Sequence, residues 1–415
     1  MVKGIISDPQ LKKYAELAVR AGVNLQMDQL LIIYSDIQHA GFARLIQTAA
    51  YEAGASNVVI DWKDEQSTKE FYIHAADRFI DHIPDWQAAR FKEWDDEGAA
   101  YIHIISENVF EDVSAERIHR FQKASRTKLK DYYSKVRSHK VRWCLIAVPY
   151  VAWAAKVFPN LSKEEALQSL WELIVSGARA DGESPIDDWR EHHRAFESRK
   201  KFLNESRFEA LHFTNKRGTD LVVGLAKNHV FIGGAVTDEQ GIPFFPNIPT
   251  EEIFTAPHKN RVNGKLVGTK PLIYGGNIIE DFHLIFTEGR ITDYYAANGQ
   301  EALQHLIETD EGSHYLGEIA LVSTKAPLAQ ANTLFYKTLF DENTACHIGI
   351  GDASPSTFRD GHDKSEKEFQ EAGLNTSLLS VNVTFGTEDM NVVGMKEGEM
   401  EVLLMEDGEF KFLIV

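Results

Sequence analysis

Leu30-Leu-Ile-Ile-Tyr34 is a short run with no polar break, and its reading decides the architecture of the first half of the chain. A run this short and this apolar predicts a strand covered on both faces. Working outward, Leu11, Tyr14, Ala15, Ala18 and Val19 recur at helical spacing, and Gly22 follows as a stop. A second helical pattern runs from about Gln38 to Glu52 and ends at Gly54, before the next strand candidate, Val58-Val-Ile-Asp-Trp62. After helices through residues 67–98 come Tyr101-Ile-His-Ile-Ile105 and Trp143-Cys-Leu-Ile-Ala-Val148. Strands alternating with helices predict an α/β domain with a mostly parallel sheet. No GxGxxG follows the first strand, so nothing there points to a dinucleotide.

Ser162-Lys-Glu-Glu165 is a capping box that opens a helix through about Val175. A polar stretch, Gly177 to Pro185, and a charged helix from about Ile186 to Leu203 form the expected linker. From Phe208 the texture changes to short strand candidates: His212-Phe213, Leu221 to Leu225, Val230 to Ile232, Leu272 to Tyr274, Phe282 to Phe286 and Leu316 to Val322. Glycine-bearing turns separate them, among them Asn263-Gly264 and Glu288-Gly289. The expected division is an α/β domain over 1–195 and a β-rich α+β domain over 196–415.

A length of 415 residues suits two domains, and a charged fraction of 26% is that of a globular protein. A net charge of -18 argues against nucleic acid as a partner and favours amine-bearing ligands. Cys144 and Cys346 form no disulfide framework, which fits a reducing, cytoplasmic setting. Cys144 to Ala155, the longest apolar run, contains Pro149 and is too short to span a bilayer, so no membrane partner is expected.

Three segments of the second half carry metal-ligand residue types in apolar surroundings. In Asn247-Ile-Pro-Thr-Glu-Glu-Ile-Phe-Thr-Ala-Pro257 the pair Glu251-Glu252 lies between two prolines, Pro249 and Pro257. Proline keeps such a piece extended or turning, where neighbouring side chains point apart and only one glutamate faces a given site. Glu318 interrupts the strand candidate Leu316 to Val322 beside Gly317, and His347 follows Cys346 ahead of a glycine-rich turn. A carboxylate in a buried strand costs several kcal/mol unless it is paired or bound to a cation. Two carboxylates and an imidazole suit Zn²⁺, Mn²⁺ or Co²⁺, although each residue taken singly also fits a structural role. Cys346 beside His347 is a poor thiol dyad, because neighbours on a strand diverge.

These residues resemble the M29 metallo-aminopeptidases (aminopeptidases T and S and PepS). The resemblance rests on Gly218-Thr-Asp-Leu221, Asn247 to Pro257, Thr269-Lys-Pro-Leu272 with Tyr274-Gly-Gly276, Leu316 to Val322, and Thr338-Leu-Phe-Asp-Glu-Asn343 running into Cys346-His-Ile348. It implies removal of N-terminal residues from peptide substrates, a homodimer, and two co-catalytic divalent cations in the C-terminal domain. It also implies that Glu252, Glu318 and His347 are metal ligands; Glu251, which is not the family match, is a candidate general base or amine anchor, or else a solvated or structural acid. The chain then departs from the family pattern. Ser354 stands where a tyrosine is usual; Ser380 and Asn382 stand where a histidine and an aspartate complete the ligand set, downstream of a retained Asn375-Thr-Ser377. The departure implies a reduced site holding one cation, or two weakly, with His362 or Asp363 as possible replacement ligands. Its alternative is a degenerate paralogue that binds peptide without efficient hydrolysis.

Overall fold

The computed structural model describes residues 8–105, 113–275, 277–396, 398 and 400–412, except the side chains of 115, 363 and 366. They form two compact units, one of residues 1–190 with 235–248 and one of 191–234 with 249–415.

In the first unit the strands β1 (Leu30–Asp36), β2 (Asn57–Lys63), β3 (Ala100–Ile105) and β4 (Trp143–Ala147) make a sheet of order β2-β1-β3-β4. All pairings are parallel, as the apolar runs imply. Leu31, Ile32 and Ile33 are fully buried, because helices cover a parallel sheet on both faces. The expected helices are present: Asp8–Leu17, Ala40–Glu52 and three between Glu65 and Asp96. Ser162 and Glu165 form the expected capping box at the start of Lys163–Gly177.

No composition shift marks the excursion over 235–248, which a single cut at 195/196 leaves out of the first unit. It is held at the free edge of β4, where Leu145 N–H donates to Pro246 O (2.7 Å) and Ile248 N–H to Leu145 O (3.0 Å). A buried ion pair, Arg142–Asp238 at 3.3 Å, fixes its start.

The second unit is antiparallel. Its larger sheet has nine strands among the described residues. They include β5 (Ala210–Thr214), β6 (Asp220–Leu225) and the long strands Pro257–Val267, Asn277–Thr287 and Arg290–Asn298. The sequence reading caught only a part of this hairpin system, at Phe282 to Phe286. Val230 to Ile232, expected as a strand, makes an isolated bridge from Ile232 to Phe254, and His229 just before it bridges Phe358.

The smaller sheet positions the site. Its strands are β7 (Ile253–Thr255), β8 (Leu316–Leu321), β9 (His347–Gly351) and β10 (Ser380–Thr384), in the order β10-β9-β8-β7. One face feeds the core through Ile253, Ile319, Leu321, Ile348, Ile350 and Val383, each at most 1% exposed. The period of two leaves the other face to the polar residues.

Candidate metal centre

Register decides which side chains share that polar face. Across β8 and β9, Ala320 is opposite His347 and Glu318 is opposite Gly349; across β9 and β10, Gly349 is opposite Asn382 and Gly351 is opposite Ser380. Residues directly opposite in an antiparallel pair point the same way, so Glu318, His347, Ser380 and Asn382 lie on one side. Phe254 is opposite Ala320, and two residues earlier Glu252 falls on that side as well.

Two glycines make room. Between Leu316 and Glu318 the register shifts, a bulge of the kind that re-aims a side chain. Gly317 sits in it, and a Cβ there would lie 2.2 Å from Asp352 O. A Cβ on Gly349 would come within 2.8 Å of Glu318 Cβ, so the carboxylate occupies space left by the missing side chain.

Glu252, Glu318 and His347 each offer a ligand atom, and these atoms lie within 4.8 Å of one another. His347 Nε2 is 3.1 Å from Glu252 Oε2 and 3.3 Å from Glu318 Oε1. Beyond these contacts, neither Nε2 nor Glu252 Oε2 has a hydrogen-bond partner, although both atoms are buried. The other ring nitrogen, Nδ1, is 3.2 Å from Ala345 O, so with the proton on Nδ1 the Nε2 lone pair faces the carboxylates. A carbonyl on the far nitrogen is the usual support of a metal-bound histidine. An O, O, N set converging from separate segments, with two of its ligand atoms orphaned, fits a divalent cation.

The electrostatics describe the same cluster. Burial alone would lower the His347 pKa, but its contacts with Glu252 and Glu318 outweigh that and hold it well above the ordinary range. Burial raises Glu252. Glu342 is pushed well up by burial and then by the charge of Glu252. A dication would reverse this ordering by favouring the ionised carboxylates and the neutral imidazole.

Glu342 is the residue that the sequence reading passed over. It opens the turn Glu342–Thr344, and Asn382 Nδ2 donates to its Oε2 across 3.5 Å. The signal was a carboxylate five residues before His347 in Asp341-Glu-Asn343, but a turn has no periodicity to show where it points. Glu251 is buried, and its N–H donates to Asn343 Oδ1 at 2.5 Å; its carboxylate is not one of the three converging groups. His362 is exposed and pairs with Ser356 Oγ at 3.0 Å, away from the cluster. The side chain of Asp363 lies outside the described residues. Ser354 caps the turn Pro355–Thr357, where its carbonyl accepts from Thr357 Oγ1 at 2.6 Å. Cys346 Sγ turns to the opposite face, to Val322 O and Met405, and burial pushes its thiol up to about 11. It is no nucleophile for His347.

Comparison with known proteins agrees with the architecture. Residues 7–410 match the family described as Thermophilic metalloprotease (M29). Aminopeptidase AmpS of Bacillus subtilis (strain 168) is 40% identical over 97% of this chain and 98% of its own length. Aminopeptidase 2 of Geobacillus stearothermophilus is 40% identical over 95% and 96%. The solved structure of wild-type AmpT from Thermus thermophilus superposes with a TM-score of 0.87 at 36% identity, over 97% of this chain and 98% of that one. A 2,5-dihydroxypyridine dioxygenase from Pseudomonas putida KT2440 shares the fold alone, with a TM-score of 0.55 at 11% identity. Matched along nearly its whole length, the chain belongs to the M29 metalloprotease family.

Proposed function

We propose that this chain is a metal-dependent aminopeptidase that releases N-terminal residues from peptides, with Glu252, Glu318 and His347 holding a divalent cation (Zn²⁺, Co²⁺ or Mn²⁺). The observation that carries the reading is the convergence of three side chains whose buried ligand atoms His347 Nε2 and Glu252 Oε2 have no other partner. When bound, the cation supplies Lewis acidity, polarising a carbonyl and bringing a water toward a pKa of ~7.

The residues do the rest. His347 is fully enclosed, so its orientation is set by packing and by the Ala345 carbonyl. Glu342, linked to the polar face through Asn382, is placed to accept and pass a proton, which is the task of a general base. The carboxylates make a negative pocket suited to the protonated α-amine of a peptide. Glu251 supports this pocket through the loop at Asn343, and its role as base or amine anchor is secondary to that of Glu342. The expected homodimer and the cytoplasmic setting belong to the same proposal, on the strength of the family.

Ser380 and Asn382 face the site from β10 and support a reduced centre, with one tight cation per chain and a second weak or missing. An amide and a hydroxyl bring neither the charge nor the ligand strength that a co-catalytic pair needs. This observation also favours a second reading, a paralogue that binds peptides and hydrolyses them poorly. Hydrolysis of short peptides with added Co²⁺, Zn²⁺ or Mn²⁺ separates the two. Turnover well above that of a Glu318→Ala control supports the peptidase; equal rates support the binding protein.

A further inference from the structure

The first unit carries a second cluster of unsatisfied polar groups, built from residues that the proposed peptidase chemistry does not use. In a sheet of order β2-β1-β3-β4 the chain leaves β1 to one side and returns to its other side. Ligands of such sheets bind outside the carboxyl ends of the strands where that reversal occurs. Asp36 is the last residue of β1, and His39 ends the short turn that follows. They are only 4% and 5% exposed. Asp36 Oδ1 accepts from Gln38 N–H at 2.9 Å, but Asp36 Oδ2 and His39 Nε2 are buried without hydrogen-bond partners. An orphaned buried polar atom is costly, so two of them three residues apart call for an occupant.

The surroundings give its chemistry. Glu65 begins the helix after β2; burial, then the charges of Asp36 and Asp64, raise its pKa, and the neighbouring Lys69 acts the other way. Burial lowers the His39 pKa, with Asp36 acting weakly the other way, so the ring is neutral at pH 7 and Nε2 accepts when the proton sits on Nδ1. Tyr150, following β4, closes the far side with its ring centroid 6.4 Å from that of His39. The cluster therefore offers acceptors and negative charge. Three donors and one positive charge on a single small group describe an ammonium. A dinucleotide is a poor fit, because the first turn has no glycine-rich loop for phosphates.

We propose that the buried site at the carboxyl end of β1, where Asp36 Oδ2 and His39 Nε2 lack partners, binds the primary ammonium group of a small amine. The argument uses no residue of the second unit and stands independently of the metal centre. Two sources supply the same group, the α-amine of a free amino acid and a carboxylate-free alkylamine.

Calorimetric titration of the full-length, metal-loaded protein with methylammonium, glycine and tetramethylammonium tests this. For methylammonium a saturable site, one per chain, is expected to persist in Glu318→Ala and to be weakened at least tenfold in Asp36→Asn. Tetramethylammonium, which has the charge but no N–H, should give no heat at that site. Glycine binding alongside methylammonium identifies amino acids as the source, and methylammonium alone identifies an alkylamine. If Asp36→Asn fails to fold by circular dichroism, His39→Gln takes its place with the same expectation. Equal affinity in the folded variant and wild type overturns the proposal. So does a crystal grown in saturating methylammonium that shows only a water between Asp36 and His39.

Discussion

Two flanks of one small sheet teach different things. Just before β7 and on β8 and β9 the polar face carries Glu252, Glu318 and His347, and their ligand atoms come within 4.8 Å of one another. On β10 the same face carries Ser380 and Asn382, in register with Gly351 and Gly349. Both flanks share an apolar underside, though the β8–β9 pairing carries the bulge at Gly317 and the β9–β10 pairing is unbroken. The chemistry differs, because one flank offers charge and an imidazole and the other an amide and a hydroxyl. On the proposed reading the fold keeps three of five donor positions, since the face that positions them is stabilised by the opposite, apolar face.

The comparison breaks first at the charged flank. His347→Ala or Glu318→Ala should lower metal affinity by more than ~100-fold, since even the residues that merely support a ligand are worth ~10–100-fold; dialysis against a competing chelator reads this. Retained affinity in both variants would mean that the cluster is not the site. The next effect belongs to the other flank. Ser380→His with Asn382→Asp should add a second cation equivalent and raise kcat by roughly 100-fold, in line with the loss of one or two transition-state contacts. Metal analysis and peptide turnover on the double variant check it, and an unchanged stoichiometry would show that β10 no longer faces the centre.

A third effect is pH linkage. His347, Glu252 and Glu342 are all held above their ordinary values, so the metal-free fold favours their protonated forms. Their contribution to stability is complete at acid pH and is lost as pH rises through the raised values. The chelated protein should therefore melt at lower temperature as pH climbs, while the metal-loaded protein should show little of this trend and should release protons on loading. Thermal unfolding across pH, with and without chelator, measures both; parallel curves would remove the cluster from the account. The smallest effect is steric. Gly349→Ala puts a methyl 2.8 Å from Glu318 Cβ and 3.4 Å from Asn382 Oδ1, and should weaken metal binding by about tenfold while leaving the fold intact. Unaltered affinity would mean that Glu318 has room to spare.

The first unit was largely legible in the sequence because buried parallel strands are short unbroken apolar runs, as in Leu30 to Tyr34. The long strands of the second unit were less so. Pro257–Val267 begins with His258, Lys259, Asn260 and Arg261, all partly or fully exposed, and a polar run gives no strand signal when only its pairing holds it extended. The three converging residues were legible as types in apolar settings. That Glu252 rather than Glu251 faces the site came from the family resemblance, and the register supplies the physical reason. The bulge at Gly317 and the approach of Glu342 were not legible, because both depend on contacts between segments distant in sequence.

The central claim is that one flank of the small sheet binds a divalent cation and the other has lost its partner. Metal analysis of protein purified without chelator tests it most directly. The account predicts one tightly held equivalent per chain, lost in Glu318→Ala; two tight equivalents, or none in the folded wild-type protein, would contradict it.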